Sequence, residues 1–123
     1  MTECIWSRKL LLIASRLGIK IPSEIAARIC MLDDSVAFSV TELFDFVSKF
    51  VVVSDPLARK ELGNDIESSL MELYRVVRGV YGRHIPRSLY DALKAVMQRP
   101  DDKEQLAFLL GALREFLDEL SGT

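Results

Sequence analysis

Apolar residues recur along this chain every three or four positions, the spacing that lines one face of an α-helix. Ile5, Leu10, Ile13 and Leu17 open the pattern, which stops at Gly18, a residue suited to the left-handed turn after a helix. Pro22 holds Ile21 extended and restarts the chain into a second helix from Ser23 to about Leu32, with Ile25, Ile29 and Leu32 on one side. The acidic stretch that begins at Asp33 breaks it. In the following stretch, Ser39 and Glu42 have the spacing of a capping box and Thr41 is a second candidate cap. Leu43, Phe44, Phe46, Val47, Phe50 and Val51 then make the segment apolar nearly all round, which predicts a helix at the centre of a core. Its end, Lys49 to Val53, is read as part of the same helix, although taken alone it would make a respectable strand.

Punctuation divides the rest. Asp55 and Pro56 read as a helix cap and first residue, and Gly63 with Asn64 as its end, giving a short helix over 56–63. Asp65 is then expected to cap the longest helix, striped by Ile66, Leu70, Leu73, Val77 and Val80, with Gly79 and Gly82 weakening its last turn. Pro86 begins another helix over 87–99. A last helix from Lys103 to Leu120 carries Leu106, Leu109, Leu113, Phe116 and Leu117 on one side. The expectation is an all-α chain: a compact bundle of six or seven helices in one domain over 1–123, without a β-hairpin.

A loose repeat runs through this pattern. At an offset of 64 positions, Gly18, Ile21, Pro22, Ile25, Ile29 and Leu32 match Gly82, Ile85, Pro86, Leu89, Leu93 and Val96. An acidic break and a strongly apolar helix follow each copy. Two pseudo-repeated three-helix halves, 3–53 and 65–120 joined by the helix at 56–63, would produce this. Generic helix punctuation would also produce it, since glycine ends and proline starts many helices.

With 123 residues, half of them hydrophobic and 28% charged, the chain can bury a core and does not have the composition of a disordered protein. A net charge of −2 gives no global attraction to nucleic acid or anionic membrane, so any basic site must be local. Cys4 and Cys30 form no metal-type or redox motif and are expected to be buried thiols, although their pairing stays open. No apolar run is long enough to span a bilayer, and Glu3 ahead of Arg8 and Lys9 does not resemble a secretory leader. A cytoplasmic location is the expectation. A single asparagine, two glutamines and ten arginines against six lysines suit a thermophile.

Local charge is concentrated in one place. The 17 residues from Tyr74 to Tyr90 hold Arg75, Arg78, Arg83, His84 and Arg87, all three tyrosines and no acid. Arginine forks bind phosphate and aromatic faces stack on bases, so these five residues are the candidate nucleic-acid contacts, with RNA or single-stranded DNA as the ligand. The bland alternative has Tyr74 and Tyr81 as core-edge packing, and the arginines paired with acids such as Asp91, Glu67 or those of the last helix. Neither a metal site nor a cofactor is expected: one histidine and scattered carboxylates make no ligand set.

Arg78 and His84, with five residues between them, resemble the Arg-x(4–6)-His motif of HEPN-type helical ribonucleases. That resemblance implies an all-helical fold, a dimer, Arg78 stabilising phosphate charge and His84 handling protons. The chain departs from the family pattern in the glycines and proline around the pair. Size and helical character are also similar to small subunits of CRISPR effector complexes, an analogy of architecture alone. The leading expectation is a non-catalytic accessory subunit that touches nucleic acid inside a larger assembly. A ribonuclease and a purely protein-binding or homo-oligomeric scaffold are the rivals.

Overall fold

A computed structural model, which describes residues 4–122, is helical throughout: α1 (Ile5–Leu17), α2 (Ser23–Ile29), α3 (Asp34–Val52), α4 (Pro56–Tyr81), α5 (Arg87–Gln98) and α6 (Lys103–Ser121). Glu3, where the first pseudo-repeated half is expected to begin, lies outside the described residues. Helix α3 packs against α1 and α4, and more lightly against α5, while α6 packs against α5 and α2. Leu43, Val36 and Val40 of α3 are fully buried, as are Leu113 and Leu117 of α6. Each such side chain stabilises the fold by roughly 1.5–3 kcal/mol over leaving it in water. No helix among the described residues is long and apolar enough to cross a membrane.

Three expectations are corrected. The helices expected at 56–63 and from Asp65 onward are one 26-residue helix, α4. Asp55 caps it, its carboxylate accepting from the Ala58 amide at 3.3 Å, and Pro56 stands in its first turn. Gly63 and Asn64 are poor helix formers, costing about 1 kcal/mol or less each, which is too little to break a ladder that packing holds. Here Gly63 lies against Phe50 and Met97, and Ile66, Ser69, Leu73 and Val77 are buried in sequence along the face toward α3. The described residues therefore form six helices, with no separate linker helix among them.

Helix α3 also starts earlier than Ser39 or Thr41. The Asp33 carboxylate accepts from the Ser35 amide at 3.0 Å, closing the first turn. That bond and the one from the Ser35 hydroxyl hold its carboxyl below the usual carboxylate range. Ser39 and Thr41 are interior and buried, and the Thr41 hydroxyl donates to the Ala37 carbonyl at 2.7 Å. Residues 49–52 stay helical, because Phe50 is buried in the core. Strand propensity gives way to tertiary packing.

The third correction concerns the cysteines, which form a disulfide and leave no free thiol. Cys4 precedes α1 and Cys30 caps the end of α2, so the bond clasps the open ends of a helical hairpin. Across the α1–α3 seam, Arg16 donates to Asp45 at 2.8 Å and to the buried Ser48 hydroxyl at 2.9 Å. Burial works to raise the Asp45 carboxyl, but hydrogen bonds from Arg16 and Lys49 outweigh it and hold the group low.

The two glycine–proline turns begin and end with nearly the same backbone angles. Gly18 takes φ 71°, ψ 23° and Gly82 φ 65°, ψ 27°, the left-handed region that only glycine enters without strain. Pro22 (φ −56°, ψ 141°) and Pro86 (φ −60°, ψ 142°) then lead into α2 and α5.

Candidate nucleic-acid interface

Helix periodicity places the site. With Ile66, Leu73 and Val77 turned inward, Glu67, Met71, Tyr74 and Arg78 fall on the neighbouring flank of α4, and Arg75 falls opposite the buried face. On α5, Leu89, Ala92, Leu93 and Val96 are buried, which puts Tyr90, Lys94 and Arg87 on one outer flank. These two flanks face each other across an open groove of about 820 Å³ with Leu70 and Ile85 half-buried among its lining. Tyr74 and Tyr90 stand on its two walls, 40% and 48% exposed, with Arg87, Lys94 and Glu67 as its charges. The Lys94 ammonium lies over the Tyr90 ring at 5.7 Å.

Arg78 and His84 meet beside Tyr74. The Tyr74 oxygen is 2.9 Å from His84 Nδ1, and Arg78 Nη1 is 3.2 Å from Nε2 and 3.4 Å from Nδ1. A guanidinium only donates, so the pairing that satisfies all three groups has Nδ1–H donating to Tyr74 and Nε2 accepting from Arg78. The tyrosine and imidazole rings lie 5.7 Å apart at 38°. All three side chains are exposed at this junction.

The other expected contacts are spread out. Arg75 makes a two-point contact with Glu72, at 3.0 and 2.5 Å, on the face away from the core. That contact lowers the Glu72 carboxyl and raises the Arg75 guanidinium relative to their ordinary values. Arg83 donates to the Glu119 carbonyl of α6 at 3.3 Å. Arg87 is 89% exposed, with only a loose 3.9 Å approach to Asp91. Tyr81 is not a stacking platform: it is half-buried, and its hydroxyl accepts from the Asp33 amide at 3.0 Å.

Of the five expected residues, the structure therefore groups Arg78 and His84 with Tyr74, sets Arg87 on the groove, and turns Arg75 and Arg83 elsewhere. Lys94 and Met71 also line the groove and were not anticipated. Lys94 could have been found from its spacing, one turn beyond Tyr90 and two beyond Arg87 on one helix flank. Among the described residues no cluster of histidine, cysteine and carboxylate groups is placed to hold a metal ion. Compared with protein-family models, curated proteins and solved structures, the chain matches none.

Proposed function

We propose that this chain is a non-catalytic helical accessory subunit that holds single-stranded nucleic acid in the groove between α4 and α5, within a larger assembly. One observation carries the reading: two exposed tyrosines on facing walls of a groove lined by Arg87 and Lys94, with Arg78 beside Tyr74 at their shared neighbour His84. Exposed ring faces accept stacked bases of any sequence, and the cations meet the phosphates between them. Glu67 works against an anion, so the cations nearest Tyr74 and Tyr90 supply most of the attraction. A cytoplasmic location belongs to the same proposal. The Cys4–Cys30 bond narrows it to a cell whose interior sustains protein disulfides, as those of hyperthermophiles do.

Fluorescence anisotropy with labelled single-stranded RNA and DNA tests this. Three phosphate contacts give a log–log salt slope near −2, so affinity falls about 20-fold from roughly 50 to 200 mM salt. Tyr74→Ala and Tyr90→Ala each weaken binding about tenfold, whereas Arg75→Ala, on the far face, has little effect. A flat salt response overturns the reading and leaves the protein-only scaffold.

The contact between Arg78 and His84 favours a second reading, a ribonuclease of the HEPN kind. Incubation of the parent chain with RNA separates the two. Cleavage lost in His84→Ala with binding retained selects the enzyme; intact RNA under conditions of full binding selects the holding role.

A further inference from the structure

We propose that the outer face of α1 and α3 is a self-association surface, on which a second copy of this chain docks about a twofold axis. This face shares no lining residue with the α4–α5 groove and rests on separate observations. Ile5 and Leu12 of α1 are 60% and 66% exposed, and Phe38 of α3 is 48% exposed. Trp6 packs edge-on against Phe38, with ring centres 5.8 Å apart, and its indole N–H donates to Asp34 at 3.3 Å. Between the two helices runs a shallow groove of about 320 Å³, walled by Trp6, Leu12 and Phe38. That volume suits one or two apolar side chains and lies at the small end for a ligand.

Charge identifies the occupant. The α1 edge of the groove carries Lys9 and Arg16; the α3 edge carries Glu42 and Asp45. Arg16 and Asp45 already pair with each other. Lys9 is left lying over the Trp6 ring at 5.6 Å, and Glu42 has no ion-pair partner among the described residues. One unpaired cation and one unpaired anion on opposite edges of the same groove are what a twofold contact uses. In a twofold contact each residue pairs with its complement twice, so Lys9 of one copy meets Glu42 of the other and the reverse. Leu12 of each copy then enters the other's groove against Trp6 and Phe38. A partner that is all basic or all acidic would satisfy only one edge.

The 13-residue α1 is about 20 Å long, so the buried area is small and the dimer is a weak one, in the micromolar range. Sedimentation equilibrium of the full chain, without nucleic acid, from about 1 to 500 µM covers that range. The expected result is a mass that doubles with concentration. Leu12→Glu, at an exposed position where folding is checked by circular dichroism, raises the dissociation constant tenfold or more. Lys9→Glu weakens association by about tenfold, and adding Glu42→Lys to it restores the parent value. A monomer at every concentration overturns the proposal, whatever else binds there. So does a dimer indifferent to Leu12→Glu and to the charge reversal, which would place the contact on another face. None of these outcomes depends on the α4–α5 groove.

Discussion

The two glycine–proline turns share their first and last backbone angles and differ in what surrounds them. At 18–22 the two isoleucines turn inward, Ile21 buried and Ile19 half-buried, Lys20 faces solvent, and the helices on either side are clasped by the disulfide. At 82–86 Arg83 and His84 face solvent, Ile85 is half-buried, and α4 and α5 diverge to leave a groove. The cause lies in the preceding helices. Helix α1 meets both its own partner α2 and the central α3, whereas α4 leans on α3 and scarcely on α5 or α6. One turn geometry thus closes a hairpin in the first half and opens a groove in the second. Similar caps continue the parallel, since Asp33 and Asp102 each accept from an amide two residues on and start helices of 19 residues. A duplicated ancestor with diverged packing accounts for these features, and we offer it as a proposal.

The largest test of this contrast is the disulfide, present in one half alone. Replacing both Cys4 and Cys30 by serine releases a constraint across 26 residues, worth about 3–4 kcal/mol by loop entropy. Urea unfolding should show that loss. Trp6, the single tryptophan, reports the first half, and helical circular dichroism reports the whole. Because α2 is packed on α6, the two signals are expected to change together. Separate transitions would mean that the halves are independent units.

A smaller effect tests whether the turns are equivalent. Neither Gly18 nor Gly82 has an atom within 4 Å of an added Cβ, so only the left-handed backbone penalises a side chain. Gly18→Ala and Gly82→Ala are each expected to cost about 1–2 kcal/mol, and the same amount within error. A clear inequality in denaturant midpoints would show that one turn is held in place by its neighbours and the other is not.

Gly63→Ala should have the smallest effect, with the opposite sign. Its Cβ would sit 3.6 Å from Met97 and 3.7 Å from Phe50, ordinary contact distances, inside a continuous helix. Stability should therefore rise by about 0.5–1 kcal/mol. A loss would mean that the helix breaks at Gly63 and Asn64, as local sequence alone suggests.

That position also marks the limit of what the residues reveal. Proline, the left-handed glycines, the Asp55 cap and the stripes of α5 and α6 are local signals, and local physics decides those boundaries. Gly63 keeps its helix because Phe50 and Met97 lie beside it, and neither is near in sequence. Ser39 looks like a cap until Asp33 is seen to have started the helix two turns earlier. Cys4 and Cys30 meet only once α1 and α2 fold back on each other. For the site, the spacing of Arg78 and His84 was legible because one turn separates them. The spacing also puts Lys94 on one helix flank with Tyr90 and Arg87, but that this flank borders a groove depends on how far α4 and α5 diverge, and Arg75 shows that neighbours in sequence can face opposite ways.

The clasp has one more consequence, for a chain that has been cut. Lys20 and Arg83 are both exposed in their turns, so trypsin can reach each. A cut after Lys20 falls inside the covalent ring closed by Cys4 and Cys30, and the nicked protein gains one water and stays a single molecule until reduced. A cut after Arg83 falls outside the ring and divides the polypeptide into two fragments joined only by packing. Turns alike in shape thus have opposite fates under proteolysis, and the one beside the candidate groove is the one the molecule leaves unguarded.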